Sequence, residues 1–92
     1  MAVAFDAARA IVANAERDRW TEGTFTVAED GHDAGHAWIV VCGYAEFLVD
    51  GDLSFSTPGD GMRAVDKNTG TVTMVNPMEV ATGVIPTTPV SA

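Results

Sequence analysis

Residues 36–47 read His-Ala-Trp-Ile-Val-Val-Cys-Gly-Tyr-Ala-Glu-Phe and contain the longest unbroken apolar run of the chain. In an extended strand, one face would carry Trp38, Val40, Cys42 and Tyr44, and the other face would carry Ala37, Ile39 and Val41. Because both faces are apolar, the pattern predicts a central strand from His36 to about Phe47 that is covered on both sides. The glycine within it, Gly43, predicts a bulge or a bend.

An amphipathic helix is predicted before this strand, from Val3 to about Arg19, since apolar residues recur there at steps of three and four. Its stripe is mostly alanine, which lets a helix approach a sheet closely. The larger apolar members of the stripe are Phe5, Ile11 and Val12. The large apolar residues Phe25 and Val27 then alternate with small or polar ones over residues 24–28, which predicts a strand with one buried face that ends in a turn from Gly31 to Gly35.

Three further features follow the central strand. The segment from Asp50 to Gly61 is rich in Gly, Asp and Ser and predicts a long loop, which we call the acidic loop. A Lys-Asn-Thr-Gly turn at 67–70 predicts a hairpin between Met62–Asp66 and Thr71–Val75. The residues of this hairpin expected to face inward are Val65, Val72 and Met74. The sequence at 78–81 predicts one helical turn.

These elements predict a single α+β domain over residues 1–85, with the N-terminal helix packed on an antiparallel sheet of about four strands. Residues 86–92 contain Pro86 and Pro89 among small polar residues, without a periodic pattern. We therefore expect a flexible C-terminal tail there.

The chain is strongly acidic. Among its 92 residues, thirteen Asp and Glu stand against five Lys and Arg, which gives a net charge of −8 and a pI near 4.3. Such a charge is repelled by nucleic acid phosphates and by anionic membranes, so we expect neither as a partner and favour a basic protein. No apolar run approaches the roughly 20 residues of a membrane-spanning helix. A single cysteine requires no oxidising compartment, so a cytoplasmic location is expected.

The residue pattern contains no recognisable catalytic or metal-binding motif. His32 and His36 stand in Gly-bounded turn sequence rather than on a helix, so no backbone pattern brings both rings to one metal ion. Cys42 lies on an apolar strand without a neighbouring base. The acidic loop lacks the glycine and the glutamate that an EF-hand needs at fixed positions. We therefore expect no enzymatic activity, no metal and no cofactor, and a minor enzyme or ligand carrier that uses the His32/His36 turn is the least favoured alternative.

Several short motifs follow one another along the chain. They are the Trp strand at 36–41, Tyr-Ala-Glu-Phe at 44–47, Gly-Asp at 51–52, Gly-Asp-Gly at 59–61 and Ala-Val-Asp-Lys-Asn-Thr-Gly-Thr-Val at 64–72. The predicted N-terminal helix followed by these motifs in this order resembles the immunity protein 35 family of bacterial polymorphic toxin systems, and the resemblance covers most of the chain. The resemblance implies a cytoplasmic protein that binds a cognate secreted toxin, often a papain-like hydrolase, and blocks it without performing chemistry.

The acidic loop is the candidate partner-binding site. Phe47 stands just before the loop and Phe55 lies within it, and the loop's carboxylates include Asp50, Asp52 and Asp60. We expect a basic toxin surface to dock there, with the two rings as apolar anchors and the carboxylates as steering groups. The alternative for the two rings is that they anchor the loop to its own domain. A second hypothesis for the whole chain is a small accessory or chaperone-like interaction domain, or a homodimer formed through sheet edges.

Overall fold

The computed structural model describes residues 2–56 and 60–92. Within them, the helices and strands are α1 (Phe5–Glu16), β1 (Phe25–Asp33), β2 (Ala37–Tyr44), α2 (Ala45–Leu48), β3 (Met62–Asp66), β4 (Val72–Met74), α3 (Pro77–Ala81) and β5 (Thr88–Ser91). Two 3₁₀ turns cover Arg17–Arg19 and Leu53–Phe55. The strands form one antiparallel sheet in the order β4-β3-β2-β1-β5. The α+β class is therefore confirmed, with five strands in place of about four.

The predicted central strand is β2, and it lies in the middle of the sheet between β1 and β3. Ile39 on one face and Val40 on the other are both buried, as expected for a strand that is covered on both sides. The strand was predicted to reach Phe47, and this end is wrong, because α2 begins directly after Tyr44. Gly43 has φ +156° immediately before this change of direction, so the predicted bend lies there.

Helix α1 covers one face of the sheet with its narrow apolar stripe. Ala8 and Val12 are fully buried, and the Phe5 ring packs against Trp38 with centroids 5.6 Å apart. Because alanine adds a single carbon beyond the backbone, the helix approaches the strands closely at Ala8. Burial of a valine side chain such as Val12 contributes about 1.5–3 kcal/mol to stability. The α-helix ends at Glu16, and the last predicted helical residues form a 3₁₀ turn instead.

Strand β1 is longer than the sequence predicted. It continues to Asp33, so the turn predicted at Gly31–Gly35 is wrong at its first residues, and a register shift midway along the strand marks a β-bulge. A Cβ at Gly31 would lie 2.5 Å from the carbonyl oxygen of Ile39, so any side chain at this position would force the two backbones to shift apart. Glu-Asp-Gly is typical of turns, and this composition concealed the strand.

The flexible tail predicted for residues 86–92 is wrong at Thr88–Ser91, which form β5 along the outer edge of β1. The Ala92 N–H donates to the Glu29 carbonyl oxygen at 2.8 Å. Because alternate residues of an antiparallel strand bond to the same neighbour, this bond shows that Val90 and Thr88 also face β1 with their backbone groups. By alternation, the nitrogen of Pro89 faces away from β1. A proline at this position removes no bond from the sheet, and it protects the outer edge against further pairing.

The β3–β4 hairpin is confirmed, with Gly70 at φ +74° in its turn. Val65 is fully buried and Val72 is half-buried, as predicted. Met74 was also expected to face inward, and this is wrong because it is exposed at the end of the short edge strand. Helix α3 confirms the single helical turn expected at 78–81.

Candidate functional site

The acidic loop begins with a compact turn after α2. The Gly51 N–H donates to the Phe47 carbonyl oxygen at 2.9 Å, and the Asp52 N–H donates to that of Glu46 at 2.8 Å. Gly51 has φ +74°, which lets the chain reverse here. The Glu46 carboxylate also accepts the Thr24 N–H at 2.9 Å. Hydrogen bonds from its own N–H and from Thr24 lower the pKa of Glu46, so the charged carboxylate fastens the turn to the residue before β1.

Asp50 and Asp52 are both exposed, but their local roles differ. Asp52 caps the 3₁₀ turn Leu53–Phe55, because its Oδ1 accepts the Ser54 hydroxyl at 2.7 Å and the Ser54 N–H at 3.0 Å. These two hydrogen bonds lower the pKa of Asp52. Asp52 therefore shapes the loop as well as charging it, whereas Asp50 adds negative charge beside it.

Asp60 belongs to a buried ion-pair network that sequence analysis missed. Arg63 on β3 is 1% exposed, and its Nη2 donates to Asp60 Oδ1 at 2.8 Å. Its Nε donates to Glu16 Oε1 at 2.6 Å and its Nη1 donates to the Met62 carbonyl oxygen at 2.9 Å. Arg19 binds the same Glu16 carboxylate at 3.0 Å. Burial alone would lower the pKa of Arg63, but the bonds to Asp60 and Glu16 outweigh it and raise that pKa.

The network has a consequence for Asp60 as a candidate contact residue. Its carboxylate neutralises a buried guanidinium, so it holds the second end of the acidic loop against β3. Residues 57–59, which belong to the same predicted loop, lie outside the described residues. The carboxylates of Asp50 and Asp52 therefore carry the loop's exposed charge more directly than Asp60 does.

The two aromatic candidates are both half-buried. The Phe55 ring packs edge-on against Tyr44 with centroids 5.7 Å apart, and Tyr44 in turn packs edge-on against Trp20 at 5.1 Å. Phe55 therefore extends the aromatic part of the core, which favours the alternative that it anchors the loop to its own domain. Phe47 lies on α2 at the start of the turn.

The exposed apolar side chains of this region are Val49 and Leu53, which are 76% and 79% exposed. The compact turn brings them into one short segment with the carboxylates of Asp50 and Asp52. We call these four residues the loop surface. Leu53 was not among the residues predicted to bind a partner, and the available signal for it was an aliphatic residue between two polar ones inside the acidic loop.

The remaining candidates for chemistry do not assemble into a site within the part of the chain that the structure describes. Cys42 is 1% exposed, and burial raises the pKa of its thiol to about 11, so it is a protonated core residue at neutral pH. His32 lies on β1, whereas His36 lies in the exposed turn before β2. Across residues 2–56 and 60–92, no group of three His, Cys, Asp or Glu is placed to hold a metal ion.

Comparisons with known proteins identify no relative. No family model, curated protein or solved structure matches this chain. The resemblance to the immunity proteins therefore depends on the sequence motifs alone. None of the helices in the described ranges has the length and apolar character that crossing a bilayer requires.

Proposed function

We propose that this chain is a non-catalytic binding protein that neutralises a cognate bacterial toxin in the cytoplasm, as an immunity protein does. The observation that carries the proposal is the loop surface, where Val49 and Leu53 are 76% and 79% exposed beside Asp50 and Asp52. Exposed aliphatic side chains beside like charges suit a protein interface, because the aliphatic groups lose water on contact while the charges select a basic partner.

The energetics of such a contact divide between the two kinds of residue. Complete burial of a leucine such as Leu53 is worth about 1.5–3 kcal/mol, which is roughly 10- to 150-fold in affinity. The carboxylates of Asp50 and Asp52 act mainly on the rate of encounter, since the net charge of −8 attracts a basic surface over a Debye length of about 8 Å. Binding would inhibit the toxin by covering its active site or substrate path, and the resemblance implies a papain-like hydrolase as that toxin.

Phe47, Phe55 and Asp60 have a supporting role in this proposal, and the Phe47 backbone supplies it by accepting the Gly51 N–H at 2.9 Å. Phe55 contacts Tyr44, and Asp60 contacts Arg63, so both keep the loop in one conformation before the partner arrives. A preorganised loop loses less conformational freedom on binding, which raises affinity without a new contact.

The test is a binding measurement between this chain and the product of the neighbouring gene. Leu53→Ala and Val49→Ala should each weaken binding about tenfold or more, and Asp50→Asn should slow association with a reduced salt dependence. Met74→Ala is the matched control, because Met74 is 60% exposed on β4 and is not part of the loop surface. Unchanged affinity in all three loop variants would reject the loop surface as the contact.

A second candidate function is an accessory or chaperone-like interaction domain for a protein that is not a toxin. It is favoured by the exposed apolar residues outside the acidic loop, Met74, Met78 and Val84. Under this hypothesis Met74→Ala, the control in the test above, becomes the variant that weakens binding. Met74→Ala and Met78→Ala would weaken binding of a partner recovered with this chain, and the loop variants would leave that binding unchanged.

A further inference from the structure

Strand β1 has a strand neighbour on its outer edge along only half of its length. Strand β5 pairs with Asp30–Asp33, and the Ala92 N–H continues the ladder to the Glu29 carbonyl oxygen. Beyond that bond, Phe25–Ala28 have no strand partner on this edge among residues 2–56 and 60–92. An edge strand with unpaired backbone groups is a template for a further strand.

The pairing of β1 with β2 shows which backbone groups face outward. The Ala45 N–H donates to the Thr24 carbonyl oxygen at 2.7 Å, and the register continues to Thr26 opposite Gly43. In an antiparallel ladder, alternate residues bond to the same neighbour, so Thr24 and Thr26 face β2. Phe25 and Val27 therefore direct their N–H and C=O groups to the open edge.

A side chain from α1 occupies part of this edge. The Arg9 Nη2 donates to the Val27 carbonyl oxygen at 3.2 Å, and its Nε donates to that of Ala28 at 2.8 Å. The guanidinium thus takes the place that a strand's N–H donors would fill. It leaves the N–H of Phe25 and of Val27 facing outward, because an arginine has no acceptor to offer them.

Open space lies on both sides of Arg9. A groove of about 360 Å³ separates α1 from Phe25–Val27 and is lined also by Asp6 and Arg17. A second groove of about 480 Å³ follows residues 26–30 of β1 and is lined on its far side by Leu48 and Val49. The edge is therefore accessible to an extended chain, with apolar walls for some of its side chains.

We propose that this edge groove, Phe25–Asp30 with Arg9, Leu48 and Val49, receives an extended segment of a basic partner protein as an added strand. The segment would run antiparallel to β1 and in line with β5, whose ladder already points into the groove. Charge selects a basic partner over a second copy of this chain, since two copies at −8 repel each other and Glu29 and Asp30 are exposed beside the groove. This goes beyond the proposed function, because a partner can use the edge groove without touching Asp50, Asp52 or Leu53.

Arg9 acts as a displaceable cover in this proposal. An incoming strand needs the Val27 carbonyl oxygen for its own N–H, so the guanidinium must leave that position. Asp6 lies 3.9 Å from Arg9 Nη1 and is exposed, so it can receive the displaced charge. Arg9→Ala should therefore strengthen strand binding, by about tenfold if one charge-assisted hydrogen bond is no longer lost.

The test is a titration of the ¹⁵N-labelled chain, followed by amide hydrogen exchange, with two synthetic peptides of opposite charge. One peptide is Lys-Val-Thr-Val-Lys-Val-Thr-Lys, and the other has Glu in place of each Lys. At millimolar concentration the basic peptide should slow exchange of the Phe25 and Val27 amides at least about tenfold. The Thr26 amide is an internal control, because it already faces β2. The acidic peptide should have no effect.

Variants separate this inference from the proposed function. Val27→Pro removes one outward donor without touching the bonds to β2, and should abolish binding of the basic peptide. Asp50→Asn with Leu53→Lys should leave peptide binding unchanged, even where it abolishes binding of the toxin. The inference is overturned if the Phe25 and Val27 amides of the wild-type chain stay unprotected with basic peptide, or if both peptides bind equally. It is also overturned if these amides become protected without peptide as protein concentration rises, since a second copy would then be the occupant.

Discussion

Replacement of Arg63 by methionine should be the most damaging single substitution among the charged residues discussed above. The side chain is 1% exposed and bonds Glu16, Asp60 and the Met62 carbonyl oxygen. Methionine keeps most of the volume and removes the charge, so the Glu16 carboxylate loses its main counter-ion while it stays buried.

The expected magnitude follows from the geometry. Removal of one partner of a buried ion pair costs about 3–5 kcal/mol. The lower end applies here, because Arg19 remains 3.0 Å from Glu16 and Asp60 is partly exposed to water. A domain of this size is stable by only about 5–14 kcal/mol. Loss of about 3 kcal/mol therefore removes a large part of the free energy of unfolding.

Urea denaturation followed by tryptophan fluorescence measures the effect. Arg63→Met should lower the midpoint by about 1–3 M at an unchanged slope, whereas Arg17→Met, at an exposed arginine of the adjoining 3₁₀ turn, should change stability by less than about 0.5 kcal/mol. The double variant with Glu16→Gln should be more stable than the sum of the single effects predicts, by about 1–3 kcal/mol. A loss below about 1 kcal/mol for Arg63→Met, or strict additivity in the double variant, would refute the network as a stabilising unit.

Three smaller predictions test the fold. Gly31→Ala should lower the melting temperature and cost about 1–3 kcal/mol, since a Cβ there would lie 2.5 Å from the Ile39 carbonyl oxygen; an unchanged melting curve would contradict the close approach. Alkylation of Cys42 by iodoacetamide should be at least about 100-fold slower in the folded chain than in urea, because burial raises the pKa of its thiol to about 11; equal rates would contradict its core position. The hydrogen bond from Lys67 lowers the pKa of Asp33 below its ordinary 3.8, so the stability that the Asp33 carboxylate contributes is complete above pH 3.8 and is lost as the pH falls below it. Urea midpoints measured from about pH 5 to about pH 2 should therefore fall less in Asp33→Asn than in the wild-type chain. Parallel curves would contradict the assignment.

Periodicity predicted the elements whose sequence pattern matches their burial. Strand β2 is apolar on both faces and lies in the centre, and the apolar stripe of α1 lies on the sheet. The β3–β4 hairpin carries its glycine where the turn needs positive φ. In these elements, local preference and tertiary packing favour the same structure, so the local sequence pattern was enough to predict both the element and its buried face.

Pairing between distant segments could not be read from local pattern. Strand β5 contains Pro89, and a proline in a sequence argues against a strand there. Only the sheet shows that the Pro89 nitrogen faces away from β1, where no hydrogen bond to β1 is lost. Gly31 stands in a sequence that is typical of turns, but the glycine is required because the backbone of β1 lies close to that of β2 at this position. In each case a neighbour remote in sequence decides the conformation.

The sequence assigned the candidate site to a segment, and the structure shows which residues of that segment are exposed and which contact the rest of the domain. Residues 50–54 of the acidic loop are exposed, whereas Phe55 and Asp60 contact Tyr44 and Arg63 within the domain. The exposed apolar residues are Val49 and Leu53, whose exposure depends on the compact turn after α2. Two signals for the buried network were available in the sequence. Arg63 lies two residues before Val65 on the inward face of its strand, and Glu16 lies four residues after Val12 on the buried stripe of α1.

The most direct test of the account is co-expression of this chain with the product of the neighbouring gene, with cell growth and co-purification as readouts. We predict that the neighbour alone arrests growth, that the wild-type chain restores growth and co-purifies at a fixed ratio, and that the chain carrying Val49→Ala with Leu53→Ala restores growth less well. A harmless neighbour that does not bind the chain, with both proteins soluble, would contradict the account.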